Sequence, residues 1–256
     1  MKNILFVLTV CLTTLLSAQE KQQRIDSLKQ AIESATSTYD RLKLRLDLGD
    51  ELYFFDRGIT EEIILDVKAI IENNGYDTPE YQRLRAECLL SLSNMATIDK
   101  DYSQALILIN ETLDYAETIG YQKIIAKAYS SYGILHKEKR EWDKALNYFE
   151  KALHIQQKDT FPGDLAITFG NFAQSYVQQK AFDSARAYYQ KAIGLSSTSV
   201  QKNIYLKNIA TTHAMERNFD EGIRIYRKVL RRLDTANYTK RMHTYSDVAQ
   251  TYSKKK

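Results

Sequence analysis

The residues that could do chemistry are few in this sequence, and their spacing excludes several kinds of site. None of the 9 glycines has the spacing of a GxGxxG or GxxxxGK loop, so dinucleotide and P-loop phosphate sites are excluded. The histidines at 136, 154, 213 and 243 are never four residues apart, which excludes an HExxH zinc helix. Sets of nucleophile, base and metal ligand are also missing at recognisable spacing. The sequence therefore predicts no catalytic site, no metal site and no cofactor.

The overall composition predicts a helical protein. The 256 residues are 44% hydrophobic and 27% charged, with only 9 Gly and 2 Pro. This chain is too apolar to be disordered and too poor in glycine and proline for a loop-rich sandwich. We therefore expect a mostly helical fold.

The first 18 residues are typical of a secretory signal peptide. Lys2 gives a basic start, the apolar stretch from Ile4 to Leu16 is too short to span a bilayer, and Ser17 and Ala18 offer a cleavage site. We expect export to the periplasm or cell surface, and no later segment is apolar enough to form a transmembrane helix. A lipoprotein is the alternative because of Cys11, although Val10 replaces the small residue that a lipobox requires.

Removal of the signal leaves one cysteine, so no intramolecular disulfide is expected in the mature chain. Cys88 lies in the helical pattern Leu84-Arg85-Ala86-Glu87-Cys88-Leu89-Leu90, where a buried, inert thiol is the usual outcome.

The strongest signal is an internal repeat with periods of 40, 40 and 37 residues. Each repeat has an aromatic residue three positions before a small one, as in Trp142-x2-Ala145, and another small residue twelve positions earlier. The small residues are Ser93 and Ala105, Gly133 and Ala145, Ala173 and Ala185, and Ala210 and Gly222. This spacing predicts two antiparallel helices per repeat that approach closely at the small residues. Ser103, Asp143, Asp183 and Asp220 directly follow the aromatic residues and are predicted to cap the second helices.

One stretch resembles the signature of the tetratricopeptide repeat. It reads Tyr129-x2-Tyr132-Gly133-x2-His136, followed by Ala145-x3-Phe149-x2-Ala152. The usual proline near the end of each repeat is missing. The resemblance implies an all-α, right-handed superhelix of about six helix pairs, an α-solenoid.

The pattern also predicts how the chain is divided. After the signal peptide at 1–18, we expect a cap helix and a degenerate helix pair at 19–78, then three to four repeats at 79–241. Residues 242–256 should form a last helix, with Ala249 at its small position. This helix is expected to be either a solvating cap or the first half of a repeat that is cut short.

In this family the first helices of the repeats line a concave groove that binds peptides or partner proteins. The resemblance implies that the groove presents amide, hydroxyl and basic side chains suited to an extended peptide. The implied groove residues are Glu87, Leu90, Asn94, Lys127, Ser130, Ile134, Lys137, Gly170, Asn171, Gln174, Gln178, Lys207, Asn208 and Thr211.

Two further features of the groove follow from the resemblance. The family's carboxylate clamp pairs a Lys with an Asn, but Thr211 stands where the Asn should follow Lys207, so no clamp is predicted. His136 and His213 occupy positions that usually hold tyrosine, so they are expected to pack rather than bind. The repeat tyrosines, such as Tyr132 and Tyr189, are likewise expected in the core.

Charge is distributed unevenly along the chain. Residues 19–199 carry 22 basic and 27 acidic side chains, whereas residues 200–256 carry 13 and 5. Arg224, Arg227, Lys228 and Arg231 lie opposite an apolar stripe and should face outward. This surface is expected to be solvated, with peripheral contact to an anionic membrane or an acidic partner as the alternative. Nucleic acid is not an expected partner of an exported protein.

These observations favour a non-catalytic module that binds a protein or peptide partner. The alternative is the extracytoplasmic sensory part of a two-component sensor, in which exported repeats precede a membrane helix and a histidine kinase; neither lies in this sequence. That alternative rests on resemblance alone.

Overall fold

The computed structural model describes residues 22–53, 56–159, 161–232 and 238–255, and all the regular structure in these ranges is α-helical. The predicted all-α fold class is confirmed. The predicted signal peptide at 1–18 lies outside the described residues. No helix in the described ranges combines the length and apolar character needed to span a bilayer.

The described residues form two compact units that divide at Asp159, which we call the N-unit and the C-unit. The N-unit contains α1 (22–34), α2 (Thr38–Leu52), α3 (Arg57–Asn73), α4 (Pro79–Ile98), α5 (Tyr102–Thr118), α6 (Gln122–Glu138) and α7 (Trp142–Lys158). The C-unit contains α8 (Pro162–Gln178), α9 (Phe182–Leu195), α10 (Ser199–Met215), α11 (Phe219–Arg232) and α12 (Tyr238–Lys255).

Within each unit, consecutive helices pack as pairs. The pairs are α2 with α3, α4 with α5 and α6 with α7 in the N-unit, and α8 with α9 and α10 with α11 in the C-unit. Each second helix also packs against the first helix of the next pair within its unit, as α5 does against α6. Helix pairs of this kind cannot bury their apolar faces alone, so stacking supplies the core.

The small residues of the repeat lie where the paired helices approach most closely. Ser93, Ala105, Ala145, Ala173, Ala185 and Ala210 are 0% exposed, and Gly133 and Gly222 are buried as well. A Cβ atom built on Gly222 would lie only 2.9 Å from the backbone oxygen of Ala210. The predicted register of the repeat is therefore confirmed.

The turn between the two helices of a repeat is built the same way four times. A residue with positive φ lies two positions after the end of the first helix, and this residue is cationic each time: Lys100 (64°), Arg140 (61°), Lys180 (61°) and Arg217 (64°). In the turn at Arg140, the backbone N–H of Glu141 donates to the oxygen of His136 at 2.8 Å, and the N–H of Arg140 donates to Lys137 at 3.0 Å. This bonding closes the helix end and reverses the chain.

The predicted helix caps were wrong. Ser103, Asp143, Asp183 and Asp220 are the second residues of α5, α7, α9 and α11, because the turn aromatic is itself the first helical residue. For α5 the cap is Asp101, whose carboxylate accepts from the N–H of Gln104 at 3.0 Å. In the first turn, the three aspartates still lie close to the positive end of the helix dipole.

The last helix begins earlier than its apolar pattern suggests. The last helix begins at Tyr238, so the predicted boundary at 242 falls inside it, and the division at Asp159 falls inside the predicted array. Ala249, the small position of this helix, is exposed, whereas its counterparts in the earlier repeats are buried.

Candidate binding faces

In the N-unit, polar side chains project from the first helices α4 and α6. Glu87, Ser91 and Asn94 follow one another at helical spacing on α4, and Lys127, Ser130 and Ile134 do so on α6. The hydroxyl of Ser131 donates to Oδ1 of Asn94 at 2.9 Å and joins the two helices. We call this surface, defined by Glu87, Ser91, Asn94, Lys127, Ser130 and Ile134, the N-unit face.

Charged groups on this face are close together, but the described residues show no ion pair for Glu87 or Lys127. Burial raises the pKa of Glu87 above its ordinary value, and the amines of Lys127 and Lys123 lower it in part. The pKa of Asp50 on α2 is raised first by burial and then by the carboxylate of Asp47, whereas the amine of Lys127 lowers it. Desolvated carboxylates of this kind often mark functional surfaces.

Two other predicted residues of α6 have partners within the N-unit. Ser130 Oγ donates to the backbone oxygen of Ala126 at 3.1 Å. Lys137 is half-buried, and Nζ lies 3.6 Å from Oε1 of Glu138. Burial lowers the pKa of Lys137, and Glu138 partly restores it. Both residues are therefore half-buried, and both side chains contact other groups of the N-unit.

In the C-unit, α8 and α10 carry the corresponding surface. Exposed Gln174 and Gln178 continue the line of half-buried Asn171 on α8. Ile167 begins the same line and is 49% exposed, and Ile204, at the same repeat position on α10, is also 49% exposed. We call Ile167, Asn171, Gln174, Gln178, Ile204 and Asn208 the C-unit face.

Tyr205 holds α8 and α10 together beside these isoleucines. Its hydroxyl donates to the backbone oxygen of Ala166 at 3.0 Å. A Cβ atom on Gly170 would lie 2.6 Å from the Tyr205 ring, so the ring uses the space that glycine leaves. Gly170 is therefore a packing position rather than an exposed groove position, and Leu90 in the N-unit is buried as well.

The predicted polar residues of α10 are bonded to neighbouring helices of the C-unit. Lys207 Nζ lies 3.0 Å from Oδ2 of Asp247 on α12. Thr211 Oγ1 lies 2.8 Å from the hydroxyl of Tyr226. The side chain of Asn208 hydrogen-bonds to Tyr189. A partner on this face would have to compete for these groups.

Sequence reasoning missed the two exposed isoleucines. The repeat periods place Lys127, Ile167 and Ile204 at one register position, so the signal was present. An isolated isoleucine in a helix is usually buried, so its residue type alone does not predict exposure.

The aromatic residues of the middle repeats form two similar stacks, one in each unit. In the N-unit, the ring of Tyr148 lies 4.7 Å from Tyr132 and 5.2 Å from His136, almost parallel to both. In the C-unit, Tyr188 lies 4.9 Å from Phe172 and 5.5 Å from Tyr176. Lys151 and Lys191 lie over the respective tyrosine rings. As predicted for His136, Tyr132 and Tyr176, these rings are packing residues.

Cys88 is also a packing residue, as predicted. It is 0% exposed, and burial raises the pKa of its thiol to about 12. His213 is half-buried, and burial lowers its pKa. Within the described ranges, no three His, Cys, Asp or Glu side chains come close enough to hold a metal ion.

The outer surface of α11 is basic. Arg224, Arg227, Lys228, Arg231 and Arg232 are all exposed, whereas Ile223, Tyr226, Val229 and Leu230 are buried. Arg224 Nε donates to Glu221 at 2.6 Å. The sequence correctly placed this row of cations on the outside of the helix.

The paired and stacked helices define a class of helical-repeat protein. Residues 124–197 match the family model of the tetratricopeptide repeat. This segment of the chain therefore consists of tetratricopeptide repeats. No curated protein is similar enough in sequence to count as a relative.

Solved structures similar to this chain share its fold. NprR in complex with its cognate peptide NprX is 15% identical, with 98% of this chain and 75% of that chain covered and a TM-score of 0.65. Rap protein complexed with Competence and Sporulation Factor is 14% identical, with 96% and 74% covered and a TM-score of 0.64. A STAND signal-transduction ATPase with a tetratricopeptide repeat sensor from Pyrococcus horikoshii is 14% identical, with a TM-score of 0.60. This chain covers only 38% of that protein, and 94% of this chain is aligned.

Proposed function

We propose that this protein binds an extended peptide, or an extended segment of a partner protein, on the C-unit face, and that it does so without catalysis. The observation that carries the proposal is the pair Ile167 and Ile204, each 49% exposed at the same position of successive repeats. Exposed apolar residues that recur at one register position provide anchors for apolar side chains of a ligand.

The neighbouring amides suit the backbone of such a ligand. Asn171, Gln174 and Gln178 line α8 next to Ile167, and each amide can both donate and accept a hydrogen bond. An extended peptide presents N–H and C=O groups that need such partners. The NprR and Rap structures with a similar fold were each solved as complexes, with the peptide NprX and with Competence and Sporulation Factor respectively.

A selection from a random 12-residue display library on the full chain tests the proposal. Selected peptides should bind the Ile167→Ser and Ile204→Ser double variant at least tenfold more weakly than wild type, because the apolar anchors are lost. Ile107→Ser is the matched control, since Ile107 is 59% exposed on α5 of the N-unit. Equal binding by wild type and the double variant, or no peptide enriched at all, would contradict the proposal.

The sensory function is a second candidate. Its support is the similarity in fold to the tetratricopeptide repeat sensor of the STAND ATPase. In this version the C-unit face receives the signal, and a following membrane helix and kinase transmit it. The reading frame after Lys256 decides the matter: a continuation without an apolar segment of about 20 residues would contradict this candidate.

We also propose export and a peripheral contact. The support for export is the pattern of Lys2, the apolar run and Ser17-Ala18. Fractionation of cells that express either the full chain or a deletion of 2–18 would test it.

The support for peripheral contact is the exposed basic row on α11. Anionic vesicles should retain wild type at low salt and release the variant with Lys228, Arg231 and Arg232 changed to Gln. Equal retention of both proteins would contradict the contact.

A further inference from the structure

A pocket opens between the three helices α2, α3 and α4 of the N-unit. Its volume is about 260 Å³, and its lining combines polar and apolar side chains: Asp50, Tyr53, Thr60, Ile64, Ser91, Asn94 and Met95. Ser91 and Asn94 also belong to the N-unit face. The pocket is therefore continuous with a surface that projects from the first helices.

The polar groups of this pocket differ in how many hydrogen bonds they already make within the fold. Thr60 Oγ1 donates within the fold, to the backbone oxygen of Gly49 at 3.1 Å. Asn94 Oδ1 accepts one bond from Ser131 and retains a second lone pair. Among the described residues, Asp50 and Ser91 make no side-chain hydrogen bond and no ion pair. Asp50 is the one charged residue of the lining, and its carboxylate is an acceptor, so the pocket favours a cationic donor.

We propose that this pocket binds an arginine side chain of a protein or peptide partner. The carboxylate of Asp50 would pair with the guanidinium, and Asn94 Oδ1 and the hydroxyl of Ser91 would accept its remaining N–H groups. Ile64 and Met95, both nearly fully buried, would pack against the methylene stem. The inference goes beyond the proposed function, since it assigns to the N-unit a binding site of its own.

The lining favours arginine over lysine. The guanidinium has five N–H donors in a fixed plane and can serve a carboxylate and a separate acceptor at the same time. A lysine ammonium is a compact, strongly hydrated charge that cannot span acceptors on two helices in this way. Asp50 lies on α2, whereas Ser91 and Asn94 lie on α4.

The positive charge of Lys127, on the N-unit face, disfavours the binding of a guanidinium in this pocket. Its amine is close enough to Asp50 to act on the carboxylate electrostatically, although it makes no direct ion pair with it. Removal of the Lys127 charge should therefore strengthen the binding of a guanidinium, whereas removal of the Asp50 charge should weaken it. A general loss of structure would weaken binding in both variants, so opposite effects would show that the two charges act on the ligand.

The probe is N-acetyl-arginine methylamide, titrated into the isotopically labelled full chain and followed by NMR. The backbone amides of Ser91 and Asn94 should shift in a saturable way. N-acetyl-lysine methylamide should bind at least threefold more weakly, and the neutral isostere N-acetyl-citrulline methylamide should produce no saturable shift. Equal shifts with arginine and citrulline would overturn the proposal.

Variants complete the test. Asp50→Asn should weaken arginine binding at least tenfold, and Lys127→Gln should strengthen it two- to threefold. Asp114→Asn on α5 is the matched control, because Asp114 is exposed and does not line the pocket. Asp50→Asn that binds as wild type does, or Lys127→Gln that weakens binding, would overturn the proposal.

The two proposals fail separately. Saturable arginine binding together with a display selection that enriches no peptide would overturn the proposed function and support the pocket. Selected peptides that depend on Ile167 and Ile204, together with no saturable shift from N-acetyl-arginine methylamide, would overturn the pocket alone.

Discussion

The ring of Phe149 on α7 occupies the space that a side chain at position 133 would fill. A Cβ atom built on Gly133 would lie 2.3 Å from Cε1 and 2.4 Å from Cδ1 of that ring. Phe149 is 0% exposed, so the surrounding core prevents the ring from moving aside. Packing in protein interiors is dense enough that such a contact fixes the distance between the two helices.

Gly133→Ala should therefore destabilise the protein by about 1 kcal/mol. Overpacking of a core costs about 1–3 kcal/mol, and the better helix propensity of alanine returns up to ~1 kcal/mol. Urea unfolding measures the difference. Gly194→Ala on α9 is the control, because nothing lies within 4 Å of its Cβ, so this variant should be stabilised. A Gly133→Ala variant as stable as wild type would contradict the packing.

The small residue of the second helix carries a similar prediction. Ala185→Leu on α9 should cost about 1–3 kcal/mol, because Ala185 is fully buried where α9 meets its partner helices. Ala187→Leu, two residues further along the same helix, is exposed and should be nearly neutral. Melting curves of the two variants test the repeat register, and an unchanged curve for Ala185→Leu would show that the register is wrong.

These packing positions could be predicted from the sequence because their signal is local. A helix crossing requires small residues, and Gly133, Ala145, Ala173 and Ala185 recur at fixed intervals that the sequence displays directly. Fold class and helix pairing follow from the same periodicity. Helix ends were less predictable: α12 begins with a polar turn that has no apolar pattern.

The binding faces were less predictable because they depend on contacts distant in sequence. Thr211 and Asn208 carry suitable polar groups, but Tyr226 and Tyr189 from second helices reach them. The pocket at Asp50 requires three helices to approach one another, and Asp50 and Ser91 lie in different repeats. A pattern within one helix contains no information about such contacts.

The positive-φ residue at each repeat turn gives a further prediction. Lys180 has φ 61°, a conformation that costs a residue with a Cβ atom about 1–2 kcal/mol relative to glycine. Lys180→Gly should therefore stabilise the protein by about 0.5–1 kcal/mol, since part of the gain is offset by the greater freedom of glycine in the unfolded chain.

Two other substitutions control for the loss of the Lys180 side chain. Lys180→Ala removes the same amine but keeps a Cβ atom, so it should not be stabilised. Lys158→Gly replaces the last residue of α7, which does not have positive φ, and should be destabilised. Chemical denaturation compares the variants, and stabilisation by Lys180→Ala equal to that by Lys180→Gly would contradict the role of backbone strain.

The pair His136 and Glu141 predicts how stability depends on pH. The ring Nδ1 of His136 lies 2.6 Å from Oε2 of Glu141, and this hydrogen bond, followed by that from Lys144, lowers the pKa of Glu141 from 4.5 to about 2. A carboxylate with a lowered pKa stabilises the folded state above its unfolded pKa. That contribution should be fully present above pH 4.5 and should be lost progressively as the pH falls towards 2.

His136→Phe should make this loss smaller. Phenylalanine keeps a flat ring against Tyr148 but cannot donate to Glu141, so the carboxyl pKa should return towards 4.5 and fewer protons should be taken up on unfolding. Urea unfolding at pH 6 and pH 3 measures the fall in unfolding free energy for each protein. His154→Phe, at an exposed position on α7, should behave as wild type does. If His136→Phe loses as much stability as wild type between the two pH values, the hydrogen bond from His136 does not control Glu141.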